Sequence, residues 1–311
     1  MSELHVIFGT GPLGRYTAEA LLAMGKTVRL ISRSGKMESP PEGVELRKAD
    51  ALNPAETAPL LEGAQAVYQC AQPEYHRWSE EFPQLQEAIL TAAIQCKAKM
   101  IAAENLYIYG MPGKDPFTET MPYRPCSKKG RVRAAMTESL FAAHASGKIP
   151  VASVRGSDFF GPWEPINGEM VFVAALKRKK VNMIGNLNLP HSFTYVKDFG
   201  KALAIVGNDE RALGKAWHVP SGPSVTQKQL LDLLSAQLGY PVKGQAAGKF
   251  ILSIIGLFNP SAKEVVEMLY EYTNPFEIDG SAMEKTFGLT ATPMEQRIVE
   301  TLEWAKTRIN S

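Results

Sequence analysis

Three glycines near the N-terminus, Gly9, Gly11 and Gly14, hold a G-x-G-x-x-G spacing between an apolar run and an Ala- and Leu-rich segment. Val6-Ile7-Phe8 reads as the end of a buried strand and Arg15 to Met24 as a helix. In that setting Gly9 lets the chain turn sharply, Gly11 lets backbone approach a pyrophosphate, and Gly14 lets the helix pack closely on the strand. Thr10, Pro12 and Leu13 complete the turn, whose free N–H groups and helix dipole attract an anion. The alternative is a tight strand-to-helix turn that binds nothing.

The adenosine ribose of a dinucleotide bound there would lie roughly 20 residues further on, at the end of the second strand. An acid at that point would hold both ribose hydroxyls and repel a 2′-phosphate, but this chain has Ser32-Arg33-Ser34. A hydroxyl beside a guanidinium suits a phosphate, so NADP is expected rather than NAD. Asp50, followed by Ala51, ends the third strand; it is expected to accept from the adenine amino group, to cap the next helix, or both.

The chain has 311 residues, enough for one large domain or two closely packed ones. With 45% hydrophobic and 21% charged residues and a net charge of +2, nothing points to nucleic acid or a membrane surface. Lys177 to Lys180, the one basic run, reads as a solvated helix end. Cys70, Cys96 and Cys126 are too few and too scattered for a disulfide framework or a zinc site, which favours a reducing cytoplasm. No signal peptide is visible. The most apolar window, Phe250 to Phe258, is about half the ~20 residues that cross a bilayer, and is expected to form a buried helix or pocket wall.

The elements that must position these residues alternate. Strands are expected at Val28 to Ile31, Glu45 to Arg47, Ala66 to Cys70, Met100 to Ala103 and Val151 to Arg155. Trp78, Phe82, Leu85 and Ile89 recur at helical spacing between them, as do Val132, Met136, Leu140 and Ala143. This predicts an α/β, Rossmann-type, doubly wound parallel sheet. Later come a helix from Glu169 to Lys179, a strand at Trp217 to Val219, and helices over Thr226 to Leu238, Ala262 to Tyr272 and from about Met294. Residues 1–160 with 193–220 form the expected nucleotide-binding domain; 161–192 with 221–311 form a smaller, partly interleaved substrate domain.

Taken together, the chain resembles an extended short-chain dehydrogenase/reductase, the superfamily of sugar-nucleotide epimerases and dihydroflavonol-type reductases. The resemblance rests on the glycines, Gln69-Cys70-Ala71 after the fourth strand, Ile108-Tyr109-Gly110, Arg155 through Gly161-Pro162, Phe193 to Asp198, and Asp279 through Phe287-Gly288-Leu289 to Trp304. It implies that Gln69-Cys70-Ala71 line the nicotinamide pocket and that Cys70, Ala71, Gln72, Ala103, Gly156 and Ser157 bind the cofactor. The family's catalytic Y-x-x-x-K is missing. Counting from Pro125 puts Lys129 at its tyrosine and Arg133 at its lysine; a register shifted by one puts Gly130 and Ala134 there. The family's Ser or Thr falls on Asn105.

On the first register, Lys129 is expected to have a depressed pKa, through burial and Arg133 one turn away, and to protonate the developing alkoxide. Asn105 would donate to the carbonyl oxygen and Arg133 would hold the nicotinamide ribose. The alternative makes both cations solvent-facing. Polar residues expected at the cleft also include Tyr75, Arg77, Glu104, Tyr109 and Trp163, with His76, Trp78, Tyr107, Asp158 and His191 as the substrate-binding set. No metal-ligand spacing is present.

The expected function is an NADP-dependent oxidoreductase acting on a carbonyl, alcohol or conjugated double bond of a small molecule, which these basic residues make anionic. A catalytically silent NADP-binding redox sensor comes second, and a sugar-nucleotide epimerase or dehydratase last. A homodimer is left open.

Overall fold

Runs of Val, Ile and Leu that are apolar on both faces suit strands covered by helices on both sides. The structure, a computed structural model, describes residues 3–248, 252–254 and 260–309. The runs form β1 (Leu4–Phe8), β2 (Thr27–Ser32), β3 (Glu45–Lys48), β4 (Ala64–Gln69), β5 (Lys99–Asn105) and β6 (Val151–Gly156). Small strands follow: β7 (Asp158–Phe160), β8 (Val181–Ile184), β9 (Pro190–His191), β10 (Phe193–Tyr195), β11 (Ala216–His218), β12 (Val225–Thr226) and β13 (Gly244–Ala247). The helices are α1 (Pro12–Ala23), α2 (Pro54–Leu61), α3 (Trp78–Gln95), α4 (Lys128–Ala145), α5 (Val171–Leu176), α6 (Val196–Asn208), α7 (Gln227–Leu238), α8 (Pro260–Val265), α9 (Ser281–Phe287) and α10 (Met294–Thr307).

Seven strands make one parallel sheet in the order β11-β6-β5-β4-β1-β2-β3. The order reverses between β1 and β4, which is where such a sheet opens a crevice at its carboxyl ends. Ile7, Leu30, Tyr68 and Ile101 pack against Phe199 and Leu203 of α6 on one face. Val6, Phe8, Val67 and Met100 pack against Leu61, Ile89, Leu90 and Leu140 of α2, α3 and α4 on the other. A third core joins Phe160, Phe172, Tyr195, Leu230 and Ile298 from the later segments.

Polar contacts fasten the later segments to α6 and β10. Asp198, on α6, accepts from the backbone N–H (2.8 Å) and hydroxyl (2.7 Å) of Thr292, just ahead of α10. Arg297, 1% exposed, donates to the carbonyls of Phe193 (3.1 Å) and Ser221 (2.8 Å).

Two helices differ from expectation. The segment expected as one helix from Glu169 starts as a π-helical turn at Pro165–Met170, because Pro165 is preset for a first turn and Glu164 accepts from the N–H groups of Ile166 and Gly168. It ends at Leu176, leaving Lys177 to Lys180 exposed. The Ala262 to Tyr272 pattern becomes α8 and then a 3₁₀ turn, Val266–Glu271, whose tighter winding buries Met268 to Glu271 in succession. Of Phe250 to Phe258, only 252–254 fall within the described residues; they form a helical turn with Leu252 buried. No helix of the described residues is long and apolar enough to cross a membrane. Among those residues no His, Cys, Asp and Glu group could hold a metal ion.

His5, on β1, is 1% exposed, with Nδ1 2.9 Å from the Tyr68 hydroxyl. Burial, helped by Lys26, pushes its pKa down to about 4. The folded chain therefore resists protonation that the unfolded chain accepts: this stability is present above about pH 6.5 and lost as pH falls through about 4. His5→Gln should remove up to about 3 kcal/mol of the loss between pH 7 and pH 4. Urea midpoints at the two pH values check this, and equal losses in wild type and variant would refute it.

Candidate active site

The turn after β1 has the geometry that its glycines predict. Gly9 has φ +112°, and a Cβ there would lie 2.7 Å from the Ala71 nitrogen. A Cβ on Gly14 would lie 1.9 Å from the Gly9 carbonyl oxygen. Gly11 is different. It is the N-cap residue of α1, Pro12 opens the helix, and nothing lies within 4 Å of a Cβ built on it. Two glycines are thus required by the protein's own packing, while the third leaves open space at a helix N-terminus.

Around this turn, Ser32 ends β2 and accepts from the Gly35 N–H (3.1 Å), while Arg33 is exposed and makes no ion pair among the described residues. Asp50 accepts from the Leu52 N–H (3.0 Å) in the turn before α2, and Asn53 caps the helix itself. Ala51 is half-buried beside it. Cys70 is a free thiol 3.9 Å from the Thr17 hydroxyl, pushed up to about 12 by burial. Ala71 abuts Gly9, and Gln72 is exposed. Ala103 is half-buried, and Gly156 pairs with Asn105. The N–H of Ser157 donates to Thr194 Oγ1 (2.9 Å), and its own buried hydroxyl has no partner among the described residues.

Lys129 and Arg133 are not solvent-facing. They are 1% and 2% exposed and share the buried face of α4 with Met136 and Leu140. Arg133 donates to the Ala103 carbonyl (3.1 Å), lies 3.8 Å from Glu104 and stacks over Phe82. The charged partners of Lys129 are carboxylates: its ammonium contacts Glu264 and, at 3.1 Å, Glu267. Glu267 also accepts from the N–H groups of Lys128 and Lys129, closing the first turn of α4. The like-charge environment expected for Lys129 is therefore replaced by ion pairs.

The same ammonium lies 4.5 Å over the ring of Tyr75, whose hydroxyl is 3.2 Å from that of Tyr107. The Tyr107 N–H is 3.4 Å from the Asn105 side-chain oxygen. Asp158 pairs with His191 at 2.8 Å, and His191 stacks flat on Tyr272 with centroids 5.1 Å apart. Glu271 is buried beside Asp158, and its Oε1 has no partner among the described residues. Burial first, then Asp158, holds its carboxyl well above the usual range.

The substrate set thus divides. Tyr107 and Asp158 cluster with Tyr75, whose ring lies under the Lys129 ammonium, and Asp158 brings His191. Trp78 packs with Phe82 and Met136, donating to the Pro73 carbonyl. His76 is exposed near Glu74, while Tyr75 on the same 3₁₀ turn faces inward. The sequence reading did not single out Glu264, Glu267 and Glu271. Their i, i+3, i+7 spacing was the available signal of a carboxylate stripe on one helix face.

Beneath the pocket, Glu104 is 3% exposed and bonds Arg155 Nε (2.8 Å) and Thr137. Arg155 also donates to the hydroxyls of Tyr109 and Tyr123, each at 2.7 Å, and Tyr109 meets His218 Nε2 at 2.7 Å. Burial pushes the Glu104 carboxyl up, but the guanidiniums of Arg155 and Arg133 outweigh it and hold it below the usual value. A cavity of about 620 Å³ lies beside β11, lined by Glu119, Glu138, Phe141 and Trp217, and is separate from this pocket.

A sequence profile of the NAD dependent epimerase/dehydratase family matches residues 6–219. The chain is 27% identical over 251 residues to mouse sterol-4-alpha-carboxylate 3-dehydrogenase, decarboxylating, covering 76% of this chain and 68% of the relative. It is 24% identical over 260 residues to dTDP-6-deoxy-L-talose 4-dehydrogenase (NAD(P)(+)) of Kitasatospora kifunensis, covering 78% and 81%. Among solved structures, dTDP-glucose 4,6-dehydratase from Bacillus anthracis in complex with NAD superposes with a TM-score of 0.81 at 17% identity, covering 99% and 98% of the chains. UDP-glucuronic acid 4-epimerase from Bacillus cereus, with UDP-glucuronic acid and NAD, gives 0.79 at 16%, covering 98% and 99%. These likenesses establish the doubly wound fold.

Two predictions follow from the packing. Gly11→Val should leave the melting temperature nearly unchanged and abolish nucleotide binding, because its side chain would fill only the open space; normal affinity in a fluorescence titration would make the loop a mere turn. Glu104→Gln should destabilise the chain by about 3–5 kcal/mol, because Arg155 loses its buried counter-charge; an unchanged urea midpoint would contradict this.

Proposed function

Because the chain belongs to the NAD dependent epimerase/dehydratase family, we propose that it is a nicotinamide-dependent oxidoreductase that uses NADP and interconverts an alcohol and a ketone of a small molecule. The observation that carries this reading is the open space at Gly11, at a helix N-terminus and at the reversal of strand order. Gly9 to Gly14 would hold the pyrophosphate, Ser32 and Arg33 the 2′-phosphate, and Ala71, Ala103, Gly156 and Ser157 the nicotinamide half. The Arg33 guanidinium, unpaired among the described residues, and the lack of an acid after β2 support NADP. When bound, the cofactor supplies or accepts the hydride. Arg133 supports its ribose from below by fixing the Ala103 carbonyl, and Asn105 orients the substrate oxygen.

The pocket's charge gives no support to an anionic substrate end, since Lys129 already faces two glutamates. A second reading, a sugar-nucleotide substrate, gains from the relatives, two of which are named for dTDP-6-deoxy-L-talose and UDP-glucose. It rises above the place that the sequence alone assigns it.

NADPH should bind more tightly than NADH by on the order of 1–3 kcal/mol, and Arg33→Ala should erase most of the difference. Fluorescence titration decides this; equal affinities in the wild type refute the NADP assignment. NADPH deuterated at C4 should pass its label to a dTDP-4-keto-6-deoxyhexose or to a 3-ketosteroid. Tight NADPH binding with no label in either ketone would favour the silent sensor.

A further inference from the structure

Lys129 stands where the resemblance places a proton-donating tyrosine, and its charge is taken up by Glu264 and Glu267. The proton for a developing alkoxide needs another source. Tyr107 lies two residues beyond Asn105, just past β5, and is half-buried at the pocket wall. Its hydroxyl is 3.2 Å from that of Tyr75, and burial keeps both phenols protonated, so they act as donors. Glu271 lies within electrostatic reach of both, 1% exposed, with an unpartnered Oε1. The two acids of the site thus differ: Asp158 has His191 as partner at 2.8 Å, whereas Glu271, beside Tyr270, has no cation among the described residues. Carboxyl groups whose surroundings push them apart in this way divide into an acid and an anion.

We propose that Tyr107 donates the proton of the reduction and that Tyr75 and Glu271 resupply it; this rests on the oxidoreductase reading above. As the carbonyl carbon gains a C–H bond by hydride transfer, the C=O π pair moves to oxygen. The Tyr107 O–H bond breaks and the substrate O–H bond forms. Tyr75 passes its proton to Tyr107, Glu271 passes its own to Tyr75, and the carboxylate is reprotonated from solvent. The Lys129 ammonium over Tyr75 stabilises the transient phenolate. Oxidation of the alcohol runs the same path in reverse. Tyr107 touches the reacting oxygen; Tyr75 and Glu271 act through it.

The test begins without cofactor. At pH 7 the infrared spectrum should contain a protonated-carboxyl stretch that Glu271→Gln removes; identical spectra overturn the relay. In alkaline titration, Glu271→Gln should lower the pH at which the last tyrosines ionise, since the ionised carboxylate no longer opposes them; an unchanged titration overturns it as well. On the ketone that accepts label, Tyr107→Phe should lower kcat by roughly 10²–10⁴ at unchanged NADPH affinity. Tyr75→Phe, a milder change read in the same assay, should lower it too. The wild-type rate should fall as pH rises through the raised Glu271 pKa, and Glu271→Gln should lack that limb. Full turnover in Tyr107→Phe, with loss instead in His191→Asn, assigns the donor to His191 and overturns the proposal. Absence of label transfer to both ketones refutes the oxidoreductase reading itself, whereas label transfer with an ionised Glu271 refutes the relay alone.

Discussion

The contact on which the site depends is the buried ion pair between Glu104 on β5 and Arg155 on β6, at 2.8 Å. Desolvating two charges costs several kcal/mol per ion, and only saturated hydrogen bonding returns it. Here each of the three guanidinium nitrogens donates a hydrogen bond. Arg155 meets Glu104, Tyr109 and Tyr123, and Glu104 also meets Thr137 on α4. The pair therefore ties two central strands, the helix over them and the turn carrying Tyr107 into one arrangement. Tyr109 extends it to His218 on the edge strand, whose imidazole is pushed down to about 3 by burial and by Arg155. Such a network tolerates little displacement.

The second half of the chain completes what the sheet begins. The carboxyl ends of β5 and β6 present Asn105, Tyr107 and Asp158, and the Pro260 to Glu271 segment packs beside them. It docks through charge: Glu264 and Glu267 hold Lys129, and Glu267 also closes the first turn of α4. Lys129 is thereby turned into a fastening. The same segment carries Glu271, which is buried with no ion pair among the described residues.

The family and the doubly wound fold were legible in the sequence because they depend on local patterns. Continuous apolar runs give buried strands, the 3.6-residue period gives helices, and the spacing of Gly9, Gly11 and Gly14 gives a turn that few other sequences can make. The tasks of Gly9 and Gly14 were readable for the same reason: their constraints come from neighbours in the turn, including the Gly9 carbonyl that a Cβ on Gly14 would strike.

The chemistry of the pocket was not readable in the same way. Whether Lys129 and Arg133 faced water or core was undecided in the sequence, because a helix carrying cations on its buried face resembles a solvated one. The partners that settle it, Glu264 and Glu267, lie more than 130 residues away. On one 3₁₀ turn, His76 attracts notice by residue type, but tertiary packing turns Tyr75 inward. Sequence by itself determined the family, the parallel strands and the turn after β1, all properties of neighbouring residues. Only the tertiary structure decided which charges are buried and which are paired, because desolvation and Coulomb energy depend on distances between segments that the chain brings together only by folding.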